Sequence, residues 1–186
     1  MFINNYFLFS GLSVLLTFCS TAQVPKVEKS VYSVQTGFLG VWVNNEYRLS
    51  DRIALRSEVG FDLGLHGPDQ ITAEWFPVIK LEPKYYYNLA KRVAKGKNIS
   101  KNSGNFVALK LSYHPNWFAI HQQGEPLFNY YDITPKWGIR RNYFKHLNFE
   151  LGGGIGLLFV SGPNVSAYYS KTNYNIDLHL RIGYTF

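Results

Sequence analysis

Hydrophobic and polar residues trade places one by one along most of this chain. From Tyr174 onward, Tyr174, Ile176, Leu178, Leu180, Ile182, Tyr184 and Phe186 fall on one face of an extended segment, and Asn175, Asp177, His179, Arg181, Gly183 and Thr185 on the other. A period of two predicts a strand. The same period recurs in Ile53–Leu65, where Ile53, Leu55, Ser57, Val59, Phe61, Leu63 and Leu65 oppose Ala54, Arg56, Glu58, Gly60, Asp62 and Gly64. Ser50-Asp51-Arg52 predicts a tight turn joining it to a preceding strand, in which Val41, Val43, Tyr47 and Leu49 alternate with Trp42, Asn44, Glu46 and Arg48.

Four further segments alternate in the same way. Ile79, Leu81, Tyr85, Tyr87 and Leu89 oppose Lys80, Glu82, Lys84, Tyr86 and Asn88. Val107, Leu109, Leu111, Tyr113 and Trp117 oppose Lys110, Ser112, His114 and Asn116. Ile133, Trp137 and Ile139 oppose Asp132, Thr134, Lys136 and Arg140. Leu147, Phe149, Leu151, Ile155, Leu157 and Phe159 oppose Asn148, Glu150, Gly152, Gly154 and Gly156. Closing a barrel takes an even number of strands. The preferred eighth strand is Ser30–Phe38, turning near Gly37–Gly40; the competing choice runs 33–49 as one strand and adds another near Val165–Tyr169. Pro77, Pro83, Pro115 and Pro135 each remove a ladder donor and are expected to mark bulges or strand ends. Connections at 50–52, 91–104 and 142–146 then fall at one end of the barrel, and 66–75, 120–126 and 161–173 at the other. No repeat, linker or helix-length pattern competes. The expectation is an all-β, antiparallel, up-and-down barrel of eight strands.

Alternation alone leaves open whether the apolar face meets lipid or a soluble core, as in a lipocalin-like barrel. The polar face carries both signs: Glu46, Glu58, Asp62, Glu82, Asp132, Glu150 and Asp177 against Arg48, Arg56, Lys80, Lys84, Lys110, Lys136, Arg140 and Arg181, with His179 among them. Long charged chains in a narrow lumen must pair. Gly60, Gly64, Gly152, Gly154, Gly156 and Gly183 leave room for them on the same face. Tyr47, Tyr85, Trp117, Trp137 and Tyr184 on the apolar face suit interfacial girdles. These features favour lipid outside and a lumen charge network within.

Residues 1–22 contain no Lys, Arg, Asp or Glu, and an apolar run from Phe7 to Phe18 leads into Ser20-Thr21-Ala22. That predicts a cleaved signal peptide, too short for a membrane-spanning helix, and a barrel domain over 23–186. An alternative, acylation of Cys19, has Phe18 as a poor preceding residue. Loss of Cys19, the only cysteine, leaves no disulfide or thiol chemistry. The net charge is +7, with 14 Tyr, 14 Phe and 4 Trp and a mean hydropathy near zero.

The closing Leu180-Arg-Ile-Gly-Tyr-Thr-Phe186 and the strand–turn–strand unit Val41–Leu65 resemble small OmpA/OmpX-type eight-stranded outer-membrane barrels. Leu81-Glu-Pro-Lys-Tyr-Tyr-Tyr-Asn-Leu-Ala-Lys-Arg92, Asn102-Ser-Gly-Asn-Phe106 and Trp137-Gly-Ile-Arg-Arg141 are similar to uncharacterised barrels common in Bacteroidota. The resemblance implies the bacterial outer membrane, insertion by the barrel-assembly machinery through the aromatic C-terminal strand, lipid contacts and a monomer. It implies little about activity, because such barrels include anchors, adhesins and a few lipid-modifying enzymes.

Outer-membrane lipid hydrolases of this architecture need a Ser and a His together on the lipid face. Here His114 and His179 fall on the lumen face, and Ser57, on the lipid face, has no His two residues away. No pair of histidines has zinc-ligand spacing, and Gly152-Gly-Gly154 is no phosphate loop because no Lys-Ser/Thr follows. No catalytic, metal or cofactor residues are assigned. Arg52, Lys91, Arg92, Lys95, Lys97, Lys101, Arg141 and Lys145 are expected to form a basic rim at one end. Its partners would be anionic headgroups or peptidoglycan carboxylates, or lipopolysaccharide phosphates in the inverted orientation. Nucleic acid suits the charge but not an exported protein. The expected role is non-enzymatic, in envelope structure or surface interaction; a lipid-modifying enzyme and a narrow pore are the alternatives.

Overall fold

The computed structural model describes residues 24–66, 72–117, 128–162 and 172–186; the signal segment, Cys19, the alternative strand at 165–169 and parts of three connections lie outside these. Eight strands close into one antiparallel barrel: β1 (Ser30–Gly37), β2 (Gly40–Arg48), β3 (Ile53–His66), β4 (Thr72–Tyr86), β5 (Asn105–His114), β6 (Asn129–Tyr143), β7 (Leu147–Ser161) and β8 (Thr172–Thr185). Each strand pairs with its sequence neighbours, and β1 closes onto β8 through Ser33–Thr185 to Gly37–Arg181. The preferred first strand is the one that forms. β4 and β8 start earlier than expected, so the connections before them are shorter.

The parity of the sequence sets the faces. Charged residues of alternate positions turn inward and become buried, while Val, Ile, Leu, Tyr and Trp of the other positions are exposed on the outer wall. A water-soluble core would require the reverse. Gly138 lies directly across from Phe106, whose ring stands where a Cβ would be. That exchange of side-chain volume lets an aromatic residue lie across the narrow lumen.

Pro115 marks a strand end as expected, but the other three prolines differ from expectation. Pro83 and Pro135 interrupt the β4–β5 and β6–β7 ladders, yet the register is the same on either side of each gap. They remove donors without adding a bulge. Pro77 lies within β4, and Pro115 follows the end of β5. Trp117 likewise lies beyond β5, exposed.

The terminal end of the barrel, where β1 begins and β8 finishes, is closed by a segment that strand periodicity left as a plain connection. It contains a short helix, α1 (Leu89–Ala94), and a 3₁₀ turn at Ser100–Asn102. Leu89 and Ile99 from this segment pack with Val27, Ala54, Tyr86 and Phe106 in a small buried cluster. Lys101 and Asn102 adopt left-handed backbone (φ 51° and 61°), a conformation that Asn tolerates better than most residues. Three contacts offset the strain: Asn102 Oδ1 accepts from Glu28 N (2.8 Å), the Glu28 carboxylate accepts from Lys101 N, and Asn142 Nδ2 donates to Lys101 O (2.8 Å).

Candidate functional site

The lumen is the chemically distinctive part of the molecule. At its terminal end Glu46 and Glu150, both fully buried, collect three cations. Arg56 reaches Glu150 from across the barrel at 2.8 Å, Lys84 bridges Glu150 (3.0 Å) and Glu46 (3.2 Å), and Arg140 reaches Glu46 at 3.0 Å. Neutral groups fill the remaining valences: Arg140 Nη2 donates to Ser33 Oγ (3.0 Å), Arg56 Nη2 to Gln35 Oε1 (2.7 Å), and Tyr86 OH to Glu46 (2.9 Å). Asn102 Nδ2 of the plug also donates to Glu46, at 2.8 Å. The plug and the charge network are therefore one hydrogen-bonded unit.

Further along the axis Glu82 lies 3.3 Å from Lys136, and Glu58 lies 2.7 Å from Arg181 and 3.6 Å from Lys80. At the mouth Asp62 takes Lys80 (2.7 Å), Trp42 Nε1 (2.6 Å) and His114 Nε2 (2.9 Å). Lys110 bridges Asp177 (2.6 Å) and Asp132 (3.1 Å), Lys136 approaches Asp177 at 3.3 Å, and His179 Nδ1 sits 3.3 Å from the same carboxylate. Ser112 and Thr134 also bond Asp132. The Arg181 guanidinium stacks 3.9 Å from the Trp42 ring centroid, a cation–π contact that holds it inward.

Glu46, Arg56, Glu58, Asp62, Lys80, Glu82, Lys84, Lys110, Lys136, Arg140, Glu150, Asp177, His179 and Arg181 thus meet in one network. Arg48 does not join it. It lies half-buried at the end of β2 and makes no ion pair among the described residues. Parity placed it on the inward face, but the strand leaves the lumen there. Sequence alternation did not reveal Ser33, Gln35 and Tyr86 as links or Asn102 as a plug, since such contacts join residues distant in the chain.

The basic residues gather at the terminal end in two groups. Arg92 donates to Asn98 O (2.7 Å), Arg141 to Gly104 O (3.0 Å) and Asn105 Oδ1 (2.6 Å), and Lys101 Nζ to Thr185 O (2.8 Å). These three hold the plug in place. Partial burial lowers the Arg92 pKa from its ordinary value, but a guanidinium stays charged. Arg52, Lys91, Lys95, Lys97 and Lys145 are exposed and face solvent.

The outer wall carries an aliphatic band between aromatic residues. Tyr47, Tyr85, Tyr87, Tyr143 and Tyr184 stand near the terminal end; Tyr113 and Tyr131, stacked at 4.9 Å, stand with Trp117 and Tyr174 near the other. Ser57 pairs with Asn45 and Leu81, with no histidine opposite. The chain matches no family model, no curated protein and no solved structure.

Proposed function

We propose that this chain is a non-enzymatic bacterial outer-membrane barrel with an envelope-structural or surface-interaction role, of the small OmpA/OmpX-like kind. The inverted distribution of polarity carries the reading: charges fill the inside and an apolar band covers the outside. On β8 the outward face from Tyr174 to Tyr184 extends over about ten residues. At a rise of about 3.3 Å per residue and a tilt of about 40°, that is roughly 25 Å of apolar wall, the height of a membrane-barrel band. The packed lumen supports a closed structure over a pore. With both termini on the periplasmic side, the exposed lysines would meet peptidoglycan or inner-leaflet headgroups, and the assembly machinery would engage the aromatic face of β8. A closed barrel completes its ladder without a second copy.

Two measurements test this. The unheated protein should run as a compact band on detergent gels and shift on boiling, and planar-bilayer recordings should show almost no conductance. A monomer that stays soluble without detergent would overturn the membrane assignment; steady open-channel current would overturn the closed lumen.

A further inference from the structure

The outward face of the barrel is uncharged except at one place. Over the eight strands its positions carry aliphatic, aromatic, Gly, Pro, Ser, Thr or Asn side chains, and Arg141 of β6 alone carries a charge. Parity puts it there: Arg140 turns into the lumen to meet Glu46, so its neighbour must turn out. Arg141 pairs with Phe149, and two residues further along β6 Tyr143 pairs with Leu147. Arg141 is therefore level with the terminal-end tyrosines. An outward Arg costs about 2–4 kcal/mol at a bilayer midplane and about 0–1 kcal/mol near an interface, so this height is where the wall can hold one.

A second guanidinium approaches it from the plug. Arg92 of α1 donates to Asn98 O, and Asn98 Nδ2 donates to the carbonyl of Asn142, the residue after Arg141. The Arg92 charge bears on Arg141, and the Tyr143 phenol is within reach of both. The acceptors that these arginines hold are all neutral: Asn98 O for Arg92, and Gly104 O, Arg140 O and Asn105 Oδ1 for Arg141. Those bonds leave N–H groups on both guanidiniums without an acceptor among the described residues. No carboxylate pairs with either one among the described residues, and the sequence has no acidic residue between Glu82 and Glu125.

A hydroxyl completes the set. Tyr87 OH accepts from Trp137 Nε1 (2.7 Å) and from Asn105 Nδ2 (3.3 Å). Both bonds fall on the phenol oxygen, so its own proton remains to be donated. Asn105 Oδ1 holds Arg141 at 2.6 Å, and one side-chain amide thus fixes the phenol relative to the guanidinium. The patch presents donors from two elements, with positive charge and no acid to balance it. Phosphate oxygens accept several N–H and O–H groups at once, and the planar guanidinium fork matches them. At the aromatic girdle of a membrane barrel the groups alongside are lipid headgroups.

Resting on the membrane reading above, we propose that Arg141, Arg92 and Tyr87 bind the phosphodiester of an anionic glycerophospholipid in the periplasmic leaflet. Two positive charges without a carboxylate favour a headgroup of net negative charge over one that carries its own ammonium. The test is native mass spectrometry of the detergent-refolded barrel, titrated with phosphatidylglycerol or phosphatidylethanolamine. One phosphatidylglycerol should be retained in preference to phosphatidylethanolamine. Arg141→Gln should weaken its retention by roughly tenfold. Tyr87→Phe, which removes none of the bonds that hold the plug, should weaken it by about threefold. Converting Lys91, Lys95 and Lys97 together to Gln should leave it unchanged, because a site differs from general attraction to a basic end. Equal retention of the two lipids, displacement by millimolar inorganic phosphate, indifference to Tyr87→Phe, or a loss in the lysine variant as large as in Arg141→Gln overturns the proposal, while the gel shift still supports the membrane reading. A protein soluble without detergent overturns both.

Discussion

Glu150 shows how much depends on a single buried carboxylate. It is fully buried, it accepts from Arg56 and Lys84, and it lies 3.5 Å from Arg140. The desolvation of those cations is compensated only while the carboxylate is charged and in place. Glu150→Gln keeps the shape and removes the charge, and it should destabilise the barrel by about 3–5 kcal/mol, seen as an earlier midpoint in urea unfolding from lipid vesicles. Ser57→Ala, on the outer wall between Asn45 and Leu81, should leave the midpoint unchanged. At this scale the sequence is legible by parity alone: alternate positions named nearly all the inward charges. It could not name their partners. Arg140 and Glu150 pair directly across neighbouring strands, whereas Arg56 reaches Glu150 across the lumen, a contact that only closure of the barrel creates.

Among the elements, the strands were legible and the plug was not. A strand declares itself by a period of two over many residues, but α1 and the 3₁₀ turn are too short to show any period, and their stability comes from what they touch. Asn102 is the clearest case. Its side chain takes Glu28 N and donates to Glu46, and its backbone sits in the left-handed region. Asn102→Ala removes both bonds and leaves the strained backbone, so the plug should loosen while the strands persist. A lysine-specific protease should then cut near Lys97 and Lys101 faster than in the parent, with the gel shift retained. Gly138 tests the neighbouring contact. Gly138→Val places carbon atoms where the Phe106 ring lies and should reduce the yield of folded barrel by displacing that ring from the buried cluster. The β1–β2 hairpin was anticipated from its glycines, but its shortness shows only beside the longer β3 and β8.

Over the whole molecule, charge is segregated rather than merely positive. The lumen acids Glu46, Glu58, Asp62, Glu82, Asp132, Glu150 and Asp177 are matched one for one by Arg56, Lys80, Lys84, Lys110, Lys136, Arg140 and Arg181. The net +7 of the chain therefore resides on residues outside that network. At the terminal end, Lys91, Lys95 and Lys97 are exposed and free of the structural duties that occupy Arg92, Lys101 and Arg141. Each lysine near an anionic surface contributes about 1 kcal/mol. Converting all three to Gln should weaken sedimentation of nanodisc-held barrel with peptidoglycan sacculi by roughly a hundredfold at low salt. The parent protein's binding should fall steeply as salt screens the rim, and the triple variant should keep its unfolding midpoint because none of the three residues supports the plug. Undiminished binding by that variant would mean that the rim is a solvated edge and that the positive surplus serves solubility rather than attachment.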